Sequence, residues 1–513
     1  MSNHNNLHAL DWLAKWACYT PDKLFLRDHA SASKWTYGQF NTAAEYLAFH
    51  LTNQHDLQKG DRLAIYSQNR MEFFLLYFAA LKLGVITVPL NFRLTSAELD
   101  MLMADAEPKL IVFETEYVTN LDKLTNLPEG CAKISIDTLT PFLTAFDVPF
   151  SESLPDPELS ENDLVMILYT SGTTGLPKGA MISHKMLFWN SINTNLRLDL
   201  NSADHTQAYS PLFHTGGWNV LFTPFLHTGA SHTILEKFDP ALILELIEKE
   251  KATILFGVPT MLKMMADSPR FAKTDLSSLR YAIVGGAPMP IPLIETWHAR
   301  GVPIRQGYGL TEVGPNCFSL NQADAIRKQG SIGFPNFYID AKVMKSPTVE
   351  CGPEEVGELW LRSPVVTPGY WRKPGETSAA ITDGWFHTGD MVRKDADGYF
   401  YVVDRKKNMF ISGGENVYPA EIEAILIQHP DIDEVAVIGI PDQKWGEVGK
   451  VFVVSGIDMD LATLQEFCRE KLAKYKIPKA MALLDRLPLN EAGKINRKKL
   501  MAFHQSSKQG GVQ

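Results

Sequence analysis

The chain of 513 residues has few cysteines, no excess of basic residues and no long apolar run. Its five cysteines are scattered without a CxxC pair, which argues against a zinc site and a disulfide framework and favours a reducing compartment. Lys and Arg number 49 against 59 Asp and Glu, giving a net charge of -10. This balance argues against a nucleic-acid binder, because such proteins neutralise phosphates with surplus cations. An anionic nucleotide can still bind where donors are concentrated locally.

The sequence also lacks a signal-peptide pattern and a candidate membrane span. The first six residues carry neither a basic stretch nor an apolar run. The most apolar stretch, residues 77–90, is short and is interrupted by Lys82. We therefore expect a cytoplasmic protein, and the sequence leaves peripheral contact with a membrane open.

Strands alternate with helical stretches over much of the chain. Residues 62–66 are expected to form a buried strand, residues 71–83 a helix and residues 85–89 the next strand. Repeating this βαβ unit gives parallel sheets that are covered by helices. The sequence predicts an α/β protein with a large N-terminal domain of mixed or parallel sheets, residues 1–404. A small mobile α+β domain, residues 405–513, is predicted to follow.

A loop rich in glycine and hydroxyl residues follows the apolar run of residues 164–168. It reads YTSGTTGLPKG from Tyr169 to Gly179. Glycines allow backbone N–H groups to approach a ligand, and the hydroxyls and Lys178 add donors, which suits a polyphosphate. It is not a Walker A loop, because Pro177 stands where that motif has glycine and Gly179 where it has Ser or Thr. A surface turn is the plain alternative.

This loop resembles, over eleven residues, the phosphate loop of the adenylate-forming superfamily. Six further motifs of that superfamily follow in family order: GGAP at 285–288, QGYGLTE at 306–312, WFHTGD at 385–390, DRKK at 404–407, SGGEN at 412–416 and GK at 493–494. One motif alone can arise by chance, whereas the ordered set is specific. The chain is identified as a member of this superfamily, in the acyl-CoA synthetase branch.

The resemblance implies an AMP-forming carboxylate–CoA ligase that uses ATP, Mg²⁺ and coenzyme A. In such enzymes the acid attacks the α-phosphate of ATP, giving acyl-AMP and pyrophosphate, and CoA then takes the acyl group and releases AMP. Two anions meet in the first step, so cations and donors must offset the charge. The residues that the resemblance assigns to ATP are Thr170, Ser171, Gly172, Thr173, Thr174, Gly175, Lys178, Gly286, Ala287, Gln306, Gly307, Tyr308, Gly309, Asp390 and Arg405.

Four residues are expected by resemblance to act in catalysis. Thr311 would contact the α-phosphate, Glu312 would hold Mg²⁺ together with Thr174, His214 would orient the acid, and Lys494 would bridge the carboxylate and the α-phosphate. Without the resemblance, Glu312 is an acid at a helix N-terminus, His214 is structural and Lys494 is a solvated lysine.

Coenzyme A must attack in space that the catalytic lysine occupied during the first step. The family solves this by rotating the small domain, and Lys407 is the hinge position by resemblance. Ser412, Gly413, Gly414 and Glu415 would then line the pantetheine tunnel. The chain departs from the family pattern just before Lys494, where residues 490–492 are Asn, Glu and Ala while relatives usually carry Thr or Ser.

The acid is expected to lie in an apolar pocket formed by Trp218, Gly309, Val313 and Gly314. No conspicuous charge is present there to pair with an amino group or a second carboxylate. A medium- or long-chain fatty acid is the first prediction. The alternatives are an aryl acid of the hydroxycinnamate or benzoate type, or a free-standing enzyme that loads a carrier protein. The expected partners are the acid, ATP and CoA, with no nucleic acid, and a homodimer is left open.

Overall fold

The computed structural model describes residues 10–146, 150–170, 177–287, 289–412, 415–469, 471–490 and 494–509. Within these residues the strands, in chain order, are β1 (Leu24–Asp28), β2 (Lys34–Thr36), β3 (Arg62–Tyr66), β4 (Ile86–Leu90), β5 (Leu110–Phe113), β6 (Ala132–Ser135), β7 (Leu164–Thr170), β8 (Lys178–Ser183), β9 (His205–Ala208), β10 (Ser231–Ile234), β11 (Ile254–Gly257), β12 (Tyr281–Val284), β13 (Ile304–Tyr308), β14 (Phe318–Ser319), β15 (Ser331–Pro335), β16 (Asp340–Ser346), β17 (Val349–Glu350), β18 (Val356–Arg362), β19 (Ile381–Thr382), β20 (Trp385–Lys394), β21 (Phe400–Arg405), β22 (Phe410–Ser412), β23 (Glu415–Val417), β24 (Glu434–Asp442), β25 (Gly446–Val454) and β26 (Ala480–Leu483).

The helices of the same residues, in chain order, are α1 (Trp12–Tyr19), α2 (Tyr37–His55), α3 (Met71–Leu83), α4 (Ser96–Ala106), α5 (Val118–Leu121), α6 (His184–Leu198), α7 (Thr215–Trp218), α8 (Phe222–Thr228), α9 (Pro240–Glu250), α10 (Pro259–Ala266), α11 (Ile291–Ala299), α12 (Pro374–Ala380), α13 (Pro419–Leu426), α14 (Leu461–Cys468) and α15 (Arg497–Gln509). No helix of the described part is long and apolar enough to cross a membrane.

The chain divides into two compact units. Unit 1 comprises residues 1–341 and 360–387, and unit 2 comprises residues 342–359 and 388–513. A large α/β unit and a smaller C-terminal unit agree with the predicted class. The predicted domain boundary after residue 404 lies inside unit 2, so the division at that residue stays a prediction.

Unit 1 contains two complete sheets and the strands of a third. The first has the order β6-β5-β3-β4-β7-β8, and the second has the order β2-β1-β10-β9. The third begins β11-β12-β13-β14-β15. The predicted βαβ unit is present as β3-α3-β4, and β3 and β4 pair in parallel with Arg62 opposite Ile86.

Local chemistry explains where the helices of this unit begin and end. Thr36 and Gln39 form a capping box at the start of α2, and Thr95 and Glu98 form another at α4. Helix α3 ends at Gly84, whose φ of 68° is accessible to glycine without steric cost. Almost every side chain of α3 is buried, since the helix lies in the main aromatic core of the unit.

Unit 2 contains the sheet β23-β22-β25-β24, with β26 paired to β25. Strands β24 and β25 form a long antiparallel pair from Glu434 opposite Val454 to Asp442 opposite Gly446. Helices α13 and α14 contribute Ile422 and Leu464 to the apolar core on one side of this sheet. Strands β20 and β21 also pair antiparallel.

Candidate active site

Strands β7 and β8 hold the two ends of the glycine- and hydroxyl-rich loop. Thr170 lies opposite Lys178 in the antiparallel register, and its hydroxyl donates to the Lys178 carbonyl oxygen at 3.3 Å. Five residues predicted to bind ATP lie outside the described residues: Ser171, Gly172, Thr173, Thr174 and Gly175. The structure therefore describes how the loop is anchored.

The ammonium group of Lys178 is paired with a carboxylate that was not predicted from the sequence. Lys178 Nζ donates to Glu376 Oε2, and Glu376 belongs to α12. The same ammonium lies 5.2 Å from the centroid of the Tyr370 ring. The Lys178 side chain is 14% exposed and that of Glu376 is 41% exposed. A mostly buried cation is thus balanced by a more solvated anion.

Several residues assigned to ATP lie at one edge of the third sheet. Strands β12 and β13 are parallel with Val284 opposite Gln306, so the turn at 285–287 and Tyr308 lie at neighbouring carboxyl ends. Ligands of α/β proteins commonly bind at such an edge. Gly286 has a φ of 81°, which few side chains tolerate. Gln306 accepts a hydrogen bond from the Met289 N–H at 3.4 Å.

Thr311 and Glu312 lie in a short 3-10 turn, Thr311–Val313, that follows β13. The main-chain oxygen of Glu312 accepts from the Thr367 N–H at 2.7 Å, and its Oε1 accepts from the Tyr370 hydroxyl at 3.0 Å. In the described part of the chain, no cluster of three or more His, Cys, Asp or Glu forms a metal cage. One carboxylate beside a polyphosphate site fits Mg²⁺, which takes few protein oxygens and completes its shell with phosphate and water.

The four residues predicted to line an acyl pocket are tightly packed. A β-carbon at Gly309 would lie 2.3 Å from the Pro315 carbonyl carbon, and one at Gly314 would lie 2.7 Å from Asn190 Oδ1. Val313 is buried. Trp218 is fully buried, and its indole N–H donates to a backbone carbonyl oxygen at 2.6 Å. Their role as pocket residues stays a prediction, because the structure explains their sizes by packing.

His214 lies at the start of α7, with its ring 4.5 Å from that of Phe213. Sequence analysis missed Phe256, whose ring lies beside the same turn. A β-carbon at Gly216 would be 3.7 Å from the Phe256 ring, and one at Gly285 would be 3.8 Å from it. Phe256 therefore lies between the turn that carries His214, predicted to orient the acid, and the turn at 285–287, which carries residues assigned to ATP.

In unit 2, the structure brings Asp390 and Arg405 together. They lie opposite each other in the β20–β21 register, and Arg405 Nε donates to Asp390 Oδ1 at 2.6 Å. The Asp390 N–H donates to the Thr388 hydroxyl at 3.0 Å, and Arg405 also donates to the Thr388 carbonyl oxygen at 3.4 Å. Asp390 is buried whereas Arg405 is 41% exposed at the side chain. The Asp390 carboxylate, which the resemblance assigns to ATP, is fixed in orientation.

Lys494 interacts electrostatically with both Arg405 and Asp390. Its pKa lies below the ordinary value of a lysine because of desolvation and, next, the positive charge of Arg405, while Asp390 opposes the shift. By its accessible surface the residue is exposed. The Lys494 N–H donates to Asn490 Oδ1 at 2.9 Å, and the Asn490 N–H donates to the Lys494 carbonyl oxygen at 2.7 Å. Asn490, the first of the three residues that depart from the family pattern, is thus bonded to Lys494 through two hydrogen bonds.

The predicted hinge and CoA residues are also in unit 2. Lys407 follows β21, and desolvation lowers its pKa, as do Arg405 and then Lys498. Ser412 is buried and lies opposite Glu415 in the β22–β23 pair, and Glu415 is exposed. Gly413 and Gly414, the other two residues predicted to line the tunnel, lie outside the described residues. The hinge and tunnel roles stay predictions.

Two comparisons of sequence match nearly the whole chain. The family described as AMP-binding enzyme matches residues 13–371, and its C-terminal domain family matches residues 421–494. The chain belongs to the AMP-binding enzyme family. Feruloyl-CoA synthase of an Amycolatopsis species is 38% identical over 491 residues, covering 94% of this chain and 96% of that relative. Indoleacetate–CoA ligase of Aromatoleum aromaticum is 36% identical over 493 residues, covering 95% and 96%.

A fatty-acid enzyme and solved structures are similar to this chain as well. The long-chain-fatty-acid–CoA ligase FadD13 of Mycobacterium tuberculosis is 36% identical, covering 90% of this chain and 91% of FadD13. MatB from Rhodopseudomonas palustris with bound ATP has a TM-score of 0.88 at 32% identity, covering 97% and 99%. o-Succinylbenzoate CoA synthetase from Bacillus subtilis with ATP and a magnesium ion has a TM-score of 0.84 at 30% identity, covering 96% and 99%.

These findings establish the predicted enzyme class. The chain is an AMP-forming carboxylate–CoA ligase of the adenylate-forming superfamily that uses ATP with Mg²⁺ and CoA. Its relatives act on aryl acids and on fatty acids, so membership in the class leaves the acid open. The roles given above to individual residues remain predictions.

Proposed function

We propose that this ligase activates a compact, flat aryl acid, of the arylpropenoate or arylacetate kind, and transfers it to coenzyme A. The observation that carries the proposal is the Phe256 ring, which lies beside two turns that carry glycine. A β-carbon at Gly216 would be in ordinary van der Waals contact with this ring, at 3.7 and 3.8 Å. At Gly285 the neighbours are that ring and the Gly307 carbonyl oxygen, at 3.8 and 3.9 Å.

Two glycines, which have no side chain, lie beside one aromatic ring, and this arrangement suits a ligand with a planar ring. Glycines admit a ligand ring close to the backbone, and the Phe256 ring offers an offset-stacked or edge-to-face partner. Such a pair contributes about 0.5–1.5 kcal/mol beyond the area that it buries. His214 precedes Gly216 by two residues, so a carboxylate on the same ligand would lie near the turn that is predicted to orient it.

A long alkyl chain would need further room on the side of Trp218. That indole is enclosed by four aromatic rings at centroid distances of 4.5–6.0 Å, from Phe73, Phe74, Tyr77 and Phe222. Opening a channel would break the hydrogen bond from the Trp218 indole to the Leu212 carbonyl oxygen and disturb a close-packed cluster. This packing favours a short acid over the medium- or long-chain fatty acid that the sequence suggested first.

In the proposed reaction, the carboxylate oxygen attacks the α-phosphorus of ATP and pyrophosphate leaves. Thr311 donates to the α-phosphate, and Lys494 offsets the charge that develops between the two anions. Bound Mg²⁺, held by Glu312, would neutralise phosphate charge. The CoA thiolate then attacks the acyl carbon, and AMP leaves with the bonding electron pair. Asp390 and Arg405 hold the ribose and phosphate through both steps.

A panel of acids tests the proposal through CoA-dependent AMP release. The aryl arm contains ferulate, cinnamate, indole-3-acetate and benzoate, and the alkyl arm runs from butyrate to palmitate. We expect the highest kcat/KM in the aryl arm, and we expect cinnamate to exceed 3-cyclohexylpropanoate, which has a bulky saturated ring. A higher kcat/KM for laurate or palmitate than for every aryl acid would reject the proposal in favour of a fatty-acid ligase.

Phe256→Leu provides the matched variant, because it keeps an apolar side chain and removes the aromatic face. The hydrogen bond from the Tyr209 hydroxyl to the Phe256 carbonyl oxygen is retained, since it involves the backbone. The KM for the aryl acid should rise about 2- to 10-fold, matching the loss of one aromatic pair. The KM for ATP should stay unchanged. A rise in both would show that the substitution disturbs the unit as a whole.

A further inference from the structure

One segment of unit 1 contacts both charged residues that are predicted to meet the phosphates of ATP. We call residues 367–377 the strap. It runs beside β8: the Trp371 N–H donates to the Gly179 carbonyl oxygen at 2.8 Å, and the Met181 N–H donates to the Gly369 carbonyl oxygen at 3.1 Å. The Thr367 hydroxyl donates to the Met181 carbonyl oxygen at 2.7 Å. The strap is therefore fixed to the strand that leaves the phosphate loop.

The strap fixes Glu312 at two points. The Thr367 N–H donates to the main-chain oxygen of Glu312 at 2.7 Å, and the Tyr370 hydroxyl donates to its Oε1 at 3.0 Å. Among the described residues, none donates a hydrogen bond to the other carboxylate oxygen, Oε2. A carboxylate that is oriented through one oxygen can present the second to a cation without losing rotational freedom on binding.

The strap also supplies the partner of Lys178. Glu376 pairs with its ammonium group, and the face of the Tyr370 ring lies 5.2 Å from the same nitrogen. Tyr370 thus faces the cation with its ring and the carboxylate of Glu312 with its hydroxyl. An aromatic face attracts a cation, so the ring helps to hold Lys178 whichever anion is present.

The position of Tyr370 is itself determined by the strap. Its N–H donates to the Thr377 hydroxyl at 2.9 Å, and that hydroxyl donates to the Lys373 carbonyl oxygen at 3.0 Å. Gly369 has a φ of 141°, and a β-carbon there would lie 2.5 Å from Thr377 Cγ2. A close approach of backbone to side chain therefore sets the direction from which Tyr370 enters the site.

The geometry points to Tyr370 and Glu376 as positioning residues of the ATP site. Tyr370 orients Glu312 for the metal, and Glu376 holds Lys178 until the phosphates of ATP take its place. The exposures decide which partner leaves: Glu376 is 41% exposed and can turn to water, while Lys178 is 14% exposed and stays. The inference rests on the proposed assignment of Lys178 and Glu312 to ATP and Mg²⁺.

Calorimetric titration of the full chain with a non-hydrolysable ATP analogue, at a series of Mg²⁺ concentrations and without acid, tests both residues. Tyr370→Phe removes only the hydroxyl and should raise the Mg²⁺ concentration for half-maximal tightening about 10- to 100-fold, as expected for an outer-shell partner. It should leave the affinity for the analogue without Mg²⁺ unchanged. Tyr37→Phe is the matched control, because that hydroxyl donates to the Ala230 carbonyl oxygen in the core.

Glu376→Gln keeps the shape and removes the competing charge. It should tighten binding of the analogue about 2- to 5-fold, because a half-exposed ion pair contributes a free energy of that size. Glu245→Gln is its control, because Glu245 is similarly exposed and pairs with Arg270 at 3.3 Å. Weaker binding by the Glu376 variant, or an unchanged Mg²⁺ dependence in the Tyr370 variant, would overturn the inference.

Two more variants separate a failure of this inference from a failure of the proposed site. Lys178→Met and Glu312→Gln should each weaken binding of the analogue with Mg²⁺ if the nucleotide site is assigned correctly. If neither does, the assignment of the site is wrong. If both do while the strap variants match their controls, the site is correct and the positioning role is refuted.

Discussion

Replacing Lys494 with alanine should separate the two half-reactions of this ligase. The loop that carries Lys494 is closed by two hydrogen bonds with Asn490, one to its side-chain oxygen at 2.9 Å and one from its backbone N–H at 2.7 Å. Both use backbone atoms of Lys494. The substitution therefore removes an ammonium group and leaves the loop's hydrogen bonds in place.

The magnitude follows from the charge that Lys494 is proposed to offset. Removing one preorganised donor from a developing charge commonly costs a factor of about 10²–10³, or about 2.7–4 kcal/mol. We expect adenylate formation to fall by that factor. Thioester formation from preformed adenylate should change less than about 3-fold, because no anion attacks phosphorus in the second step.

Acid-dependent exchange of labelled pyrophosphate into ATP measures the first half-reaction. Mixing the enzyme with synthetic acyl adenylate and CoA measures the second. Lys499→Ala is the matched control, since Lys499 is an exposed lysine on the following helix. Equal loss of both half-reactions, or normal exchange in the Lys494 variant, would refute the role assigned to this residue.

Three further predictions concern pH, stability and packing. Arg405→Met removes a positive charge that lowers the pKa of Lys494, so the alkaline decline of pyrophosphate exchange, where Lys494 loses its proton, should move to higher pH in a rate profile. Arg497→Met leaves the mostly buried Glu423 carboxylate without the guanidinium that donates to both its oxygens at 2.6 and 2.8 Å, and urea unfolding should show a loss of about 3 kcal/mol. Gly309→Ala places a β-carbon 2.3 Å from backbone, so the variant should lose several degrees of thermal stability together with ATP binding.

The regular parts of the fold were predictable because apolar periodicity reports burial. The helix predicted at residues 71–83 is observed as α3 with the same bounds, and the strand expected at 85–89 is β4, Ile86–Leu90. The ends of helices were less predictable than their positions. From the sequence a helix is expected over residues 461–475, whereas α14 ends at Cys468, because apolar periodicity does not report where a helix stops.

Ordered motifs predict which residues belong to the candidate site, and sequence reasoning reaches only one of their pairings. For Asp390 and Arg405 a mutual salt bridge is the plain alternative to a role with ATP, and the structure contains that ion pair. The contacts of Tyr370 with Glu312 and of Glu376 with Lys178 span 58 and 198 residues of sequence, a separation at which no local pattern carries information. From residue type alone, Glu376 is expected only to occupy an exposed position on a helix.

The ion pairs already present at these cations affect the free energy of ATP binding. Lys178 is paired with Glu376 and Arg405 with Asp390, each pair within its own unit, so the cations proposed to bind ATP already have partners. A carboxylate as buried as Asp390 cannot move into water without a large loss, whereas Glu376 can. ATP should therefore displace Glu376 and keep the Asp390–Arg405 pair intact. The affinity for ATP should then fall only weakly as ionic strength rises. The reason is that the Lys178–Glu376 ion pair is exchanged for a Lys178–phosphate ion pair, so the number of cations at the site overstates the salt dependence.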